Sequence, residues 1–151
     1  MRVLVLPDPH ADPAGLATAR PDAFTPDLAS ALNTQFAALD ALGRGEDALA
    51  ASTEAVTIRR RLASAHPDAF TPDLAGSLNN QSVALAEMGR GEDALAASTE
   101  AVEIYRRLAS ARPDAFTPDL ATALNTQSNA LAALGRTERW RPKEPSQGPI
   151  G

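Results

Sequence analysis

The chain has 151 residues, 44% of them hydrophobic but only 4% aromatic, with a formal net charge of −5 and no cysteine. That hydrophobic fraction suits one modest domain or a short repeat array, and a core rich in Ala and Leu must be built by closely approaching helices rather than by large rings. The acidic balance removes any general attraction to nucleic acid or an anionic membrane, and the missing cysteine excludes disulfides, thiolate metal sites and a Cys nucleophile.

The first apolar stretch in the chain, Val3 to Leu6, is cut off by Pro7. It is far shorter than a signal-peptide core of ~7–15 residues or a membrane span of ~20. A soluble protein of the cytoplasm is therefore expected, with residues 1–13 as a flexible N-terminal segment. Asp8, His10 and Asp12 are metal-ligating residue types, but a Pro-rich end offers too little fixed geometry for a metal. No metal and no cofactor are expected.

From residue 14 the chain repeats itself. The run from Arg20 to Leu28 returns from His66 to Leu74 and again from Arg112 to Leu120, each step being 46 residues. Between these markers Leu32 and Asn33 recur as Leu78 and Asn79 and as Leu124 and Asn125, and Gly43 recurs as Gly89 and Gly135. A fixed period of this length signals an array of helix pairs rather than one globular unit.

Each unit reads as two helices. Thr25, Thr71 and Thr117 are placed to cap a first helix that begins at Pro26, Pro72 and Pro118, where a missing N–H costs nothing. In the middle unit Leu74, Leu78, Leu85 and Met88 stand at helical spacing, and Gly89 ends the run. Glu92 and Asp93 open the second helix, whose stripe is Ala94, Leu95, Ser98, Ala101, Val102, Tyr105 and Leu108. With a connection of about three residues the two helices must form an antiparallel hairpin. One hairpin cannot hide both faces of its helices, so units must stack on one another.

These residues resemble the tetratricopeptide repeat family. Gly89, Ala94 and Ala101, with Leu78 and Leu85 upstream, stand at that family's spacings for the turn glycine, the two small residues of helix B and the packing residues of helix A. The first unit matches with Leu32, Leu39, Gly43, Ala48 and Ala55, and the long period is most similar to the lengthened repeats of kinesin light chain type. The resemblance covers residues 14–136 and implies an all-α fold, a right-handed superhelical stack of antiparallel hairpins with about five long helices. This sequence departs from the family pattern at Gly45 and Gly91, where helix B usually opens with an aromatic, at Ser52 and Ser98, and at Gln35, Gln81 and Gln127 on the helix A stripe. The glutamines are expected to bond between helices.

At the ends the repeat is incomplete. Residues 14–20 match the last turn of a preceding helix B, while after Gly135 the chain carries Trp140, Pro142, Pro145 and Pro149, which forbid a long helix. Residues 137–151 are thus expected to be a disordered tail. The last helix A would then lack cover over Leu124, Leu131 and Leu134, which suggests either a shortened piece of a longer array or self-association through that end.

The resemblance also implies a partner groove on the inner faces of the A helices, binding an extended peptide or a helix. Asn33, Asn79 and Asn125 are its first candidate residues, since an amide both donates and accepts toward a peptide main chain. Asn80, Asn129, Ser30, Thr122 and Asp40 are further candidates near the same surface. Basic residues that would clamp a terminal carboxylate are missing there. With no phosphate loop, nucleophile elbow or zinc motif, the expected role is protein binding without catalysis. The alternative is a self-associating structural or sensor module, either a shortened piece of a larger signalling protein or a homodimer through the uncapped helix.

Overall fold

The computed structural model describes residues 21–139, and within them the protein is all-helical. Five helices follow one another: α1 (Pro21–Ala41), α2 (Gly45–Ala65), α3 (Pro67–Glu87), α4 (Gly91–Ala111) and α5 (Pro113–Arg139). The expected flexible segment 1–13, the helix remnant at 14–20 and Trp140 with the prolines after it lie outside the described residues.

The turns from α1 to α2 and from α3 to α4 have the predicted length, and their geometry explains the glycines. Gly43 and Gly89 hold φ at 71° and 75°, the left-handed region that residues with a Cβ avoid. Gly43 N–H donates to the Asp40 carbonyl at 3.0 Å and Arg44 N–H to that of Leu39 at 2.9 Å. Gly89 and Arg90 repeat the pair on Ala86 and Leu85. Each helix end is thus closed by two bonds from turn N–H groups to its last carbonyls, and the chain reverses within three residues.

The helix starts differ from expectation. α1, α3 and α5 open at Pro21, Pro67 and Pro113, five residues before the predicted prolines, so Pro26, Pro72 and Pro118 sit inside helices and Thr71 and Thr117 cap nothing. The reason lies at the residue before: the His66 carbonyl accepts from Ala69 and Phe70 N–H, and the Arg112 carbonyl from those of Ala115 and Phe116, all at 3.2 Å. Pro67 then occupies a first-turn position that needs no donor, with Asp68 at the positive end of the helix dipole. One residue, His66 or Arg112, suffices to join consecutive hairpins. The rings of Phe70 and Phe116 fold back over it, Phe116 beneath the Arg112 guanidinium at 5.1 Å.

The third unit is also unlike the first two. α5 runs straight through Gly135 to Arg139, past the turn expected there and three residues past the expected end of the array. Gly135 does not take positive φ. Among the described residues no returning helix packs against it, and continuing the hydrogen-bond ladder is then the favourable course.

Consecutive helices pack throughout; in addition α1 touches α3 and α3 touches α5, whereas the main chains of α2 and α4 stay more than 8 Å apart at Cα. The core falls into two clusters made mostly of small and aliphatic side chains. One cluster joins Leu74, Leu78 and Leu85 of α3 to Ala94, Ala101 and Val102 of α4. Another joins Leu32 and Phe36 of α1 to Ala48, Ala51 and Ala55 of α2.

The three departures from the family pattern have physical reasons here. Gly91 is buried, and a Cβ on it would stand 2.9 Å from the Leu134 Cα, so the next unit reaches the start of helix B only because no side chain is present. Ser52 and Ser98 are fully buried and turn their hydroxyls onto the Leu49 and Leu95 carbonyls of their own helices at 3.0 and 3.1 Å. Gln81 donates to Thr53 Oγ1 at 3.3 Å and Gln127 to Thr99 Oγ1 at 3.1 Å, each bond tying one unit to the next. Gln35 is exposed, because no described helix precedes α1.

Candidate functional site

The asparagines nominated from the sequence divide into three situations. Asn33 lies in the seam between α1 and α3, half-buried, with its amide 3.4 Å from Ser77 Oγ both as donor and as acceptor. Asn79 occupies the equivalent place between α3 and α5, but there Ala123 stands where Ser77 stood, and its Oδ1 is buried with no hydrogen-bond partner among the described residues. Asn125 is exposed, as no described helix follows α5 in this seam. Of the further candidates, Asn129, Ser30 and Thr122 are exposed and Asn80 and Asp40 half-buried. The asparagine ladder is therefore partly an inter-helix joint and becomes free surface toward α5.

A depression of about 210 Å³ lies between α3 and α5. Ser82, Val83 and Ala86 line it from α3, Thr126 and Asn129 from α5, and Glu87 and Arg136 bring opposite charges to it. It combines an apolar wall of Val83 and Ala86 with the exposed amide of Asn129. At the corresponding end of α1, Asp40 faces Glu87. Partial burial raises the Glu87 carboxyl above the usual range, and a hydrogen bond and repulsion from Asp40 raise it further. From Pro21 to Leu134 the helices α1, α3 and α5 contain no Lys or Arg, so the surface they share is acidic.

Sequence reasoning missed Arg59. It extends from α2 into the seam of α1 and α3, 9% exposed, and donates to the Asp73 carbonyl at 3.1 Å, Ser77 Oγ at 2.8 Å and Ser30 Oγ at 3.5 Å. Burial lowers its pKa, and Asp73 and then Tyr105 oppose that shift. In the next unit the same position is Tyr105, buried, its hydroxyl packed against Gly76 where the first unit has Ser30. Reading 59 against 105, 77 against 123 and 30 against 76 together is the signal that was available.

A larger groove of about 410 Å³ runs between α2 and α4, floored by Leu78 and Leu85 of α3. Arg60 bridges it, donating to both Glu100 carboxylate oxygens at 2.6 and 3.0 Å, and this pair raises the Arg60 pKa. Arg90 and Asp93, paired at 2.7 Å, also line it. Among the described residues no three His, Cys, Asp or Glu side chains gather as a metal site would require, and no helix is long and apolar enough to cross a membrane. Asp8, His10 and Asp12 lie outside the described residues.

Compared with known proteins, the chain matches no protein-family model and no curated protein sequence.

Proposed function

We propose that this chain is a protein-interaction scaffold of the tetratricopeptide kind, a right-handed superhelical stack that receives an extended peptide or a helix along α1, α3 and α5. The observation that carries this reading is the depression between α3 and α5, where Val83, Ala86, Thr126 and Asn129 combine an apolar wall with a free amide. Contacts from α1 to α3 to α5 make these helices a continuous surface, and among the described residues that surface assembles no nucleophile, base and oxyanion donor. The partner is a protein or peptide, the chain itself is no enzyme, and the cytoplasm is its compartment.

The test is a peptide-display selection on the full chain followed by affinity measurement on variants. Asn129→Ala and Asn125→Ala should each weaken a selected peptide by about fivefold to tenfold, in line with a lost hydrogen bond of roughly 1 kcal/mol. Equal binding by the double variant, with unchanged melting temperature, would remove the groove from this side of the molecule. A second reading is favoured by Leu131, 52% exposed on α5. It makes the chain a homodimer through that helix. Light scattering across about a hundredfold dilution separates the two, since only the dimer changes mass with concentration.

A further inference from the structure

The stripe at spacing i, i+3, i+7 and i+10 meets a different fate in α5 than in α1 and α3. In α3 its members Ala75, Leu78, Ser82 and Leu85 are all buried. Ser82 identifies what buries them: its Oγ donates to the Ala94 carbonyl in the first turn of α4 at 2.7 Å. In α1 the members Ala29, Leu32 and Phe36 are buried in one cluster with Ala48, Ala51 and Ala55 of α2. In α5 the members are Ala121, Leu124, Ser128 and Leu131, and every one is exposed, Leu131 to 52% where Leu85 is 5%. Among the described residues the same face is thus covered twice, both times by a helix of one kind, and is open the third time.

We infer that this stripe on α5 is a seat for an α-helix of the α2 and α4 kind supplied by another polypeptide. The internal repeat states the chemistry of that occupant. It carries small residues at the places of Ala94, Ala97, Ser98 and Ala101, because only a flat stripe lets Leu78 and Leu85 sink between the helices. A carbonyl in its first turn accepts from Ser128, as that of Ala94 does from Ser82. It carries an acidic residue at the place of Glu100: Arg106 stands 46 residues after Arg60, is exposed and has no ion-pair partner among the described residues. Asn125 and Asn129 follow Leu124 and Ser128 by one residue, about 100° around the helix, so the seat and the peptide groove are separate faces of α5.

The probe is a labelled synthetic peptide with the sequence of residues 91–111, titrated into the full chain and followed by fluorescence anisotropy. Saturable one-to-one binding is expected. Leu131→Glu in the chain and Ala101→Trp in the peptide should each weaken it at least about tenfold, since either places bulk or charge in an apolar contact. Glu100→Lys in the peptide should weaken it only about two- to fivefold, as a surface ion pair does, and Asn129→Ala in the chain should leave it unchanged while affecting groove ligands. Binding that survives Leu131→Glu overturns the inference, as does a Leu131-dependent homodimer that the peptide fails to displace. Because a free helix of this length is marginal in water, a second variant repeats residues 89–111 after Leu134. A seat that is real raises its melting temperature by roughly 2–4 °C or more; an unchanged melting temperature together with no peptide binding overturns the inference.

Discussion

The seam between α1 and α3 and the seam between α3 and α5 come from one repeat and are filled by opposite means. The first holds a buried guanidinium on three neutral oxygens, with Asn33 and Ser77 completing the network. The second holds the Tyr105 ring, with Ala123 in place of the serine, and leaves Asn79 Oδ1 without a donor. Arg59 is expensive to desolvate and is offset by hydrogen bonds and by the nearby Asp73 carboxylate, whereas Tyr105 contributes ring area without a charge to bury. An array can thus change the filling of a seam without changing the period, provided the residues on both sides change together.

The largest effect should follow from emptying the second seam. Tyr105→Ala is expected to cost about 3–5 kcal/mol, the usual range for a buried aromatic, and Arg59→Ala about 1–3 kcal/mol for its lost bonds. Denaturant titration of both variants checks the order, and equal losses would mean that the two seams carry the same load. Next comes the close approach beside them. Gly91→Ala must push back the Leu134 backbone and should cost about 1–3 kcal/mol. Gly45→Ala meets only the flexible Met88 Sδ at 3.1 Å, so the ~1 kcal/mol gain in helix propensity offsets its strain. A similar loss in both would show that the second seam is no tighter than the first.

Ala123→Ser should sharpen the contrast by restoring the first seam's chemistry to the second. Its hydroxyl would give Asn79 Oδ1 the donor it lacks and raise stability by about 1 kcal/mol, read as a higher denaturation midpoint. The smallest effect at neutral pH, and a visible one only in alkali, concerns Tyr105 itself. Burial first, then Asp119 and Asp73, push its pKa up to about 12 against the opposing pull of Arg59. A folded pKa above the unfolded value near 10 means that this contribution to stability is fully present below pH ~10 and is lost as pH rises through about 12. Tyr105 is the single tyrosine, so absorbance of the phenolate follows it directly. A midpoint at the ordinary value would place the ring in water.

The helix pairs, the three-residue turns and the bonding glutamines could be read from period and residue type, because Gly43, Gly89 and the leucine stripes act within a few residues of themselves. The helix starts could not. Two prolines five residues apart, such as Pro67 and Pro72, both suit a first turn, and the earlier one prevails because it shortens the link between hairpins to a single residue. Nor could the straight course of α5 be read from Gly135, since a glycine reverses the chain only where a second helix rewards the reversal. The asparagine ladder was visible as a pattern, but whether each member faces a neighbour depends on residues 44 positions away, Ser77 for Asn33 and Ala123 for Asn79.

The single bridge from Arg60 to Glu100 has a mechanical consequence. Among the described residues it is the only hydrogen-bonded or ionic link between α2 and α4, whose main chains do not meet, while α1, α3 and α5 are in direct contact along the other side. The stack is thus joined along one edge, its spine, by packed side chains and spanned at the other by one exposed ionic clasp. Added salt screens the clasp and leaves the spine untouched. As an exposed pair the clasp contributes at most about 1 kcal/mol, and salt lowers that further.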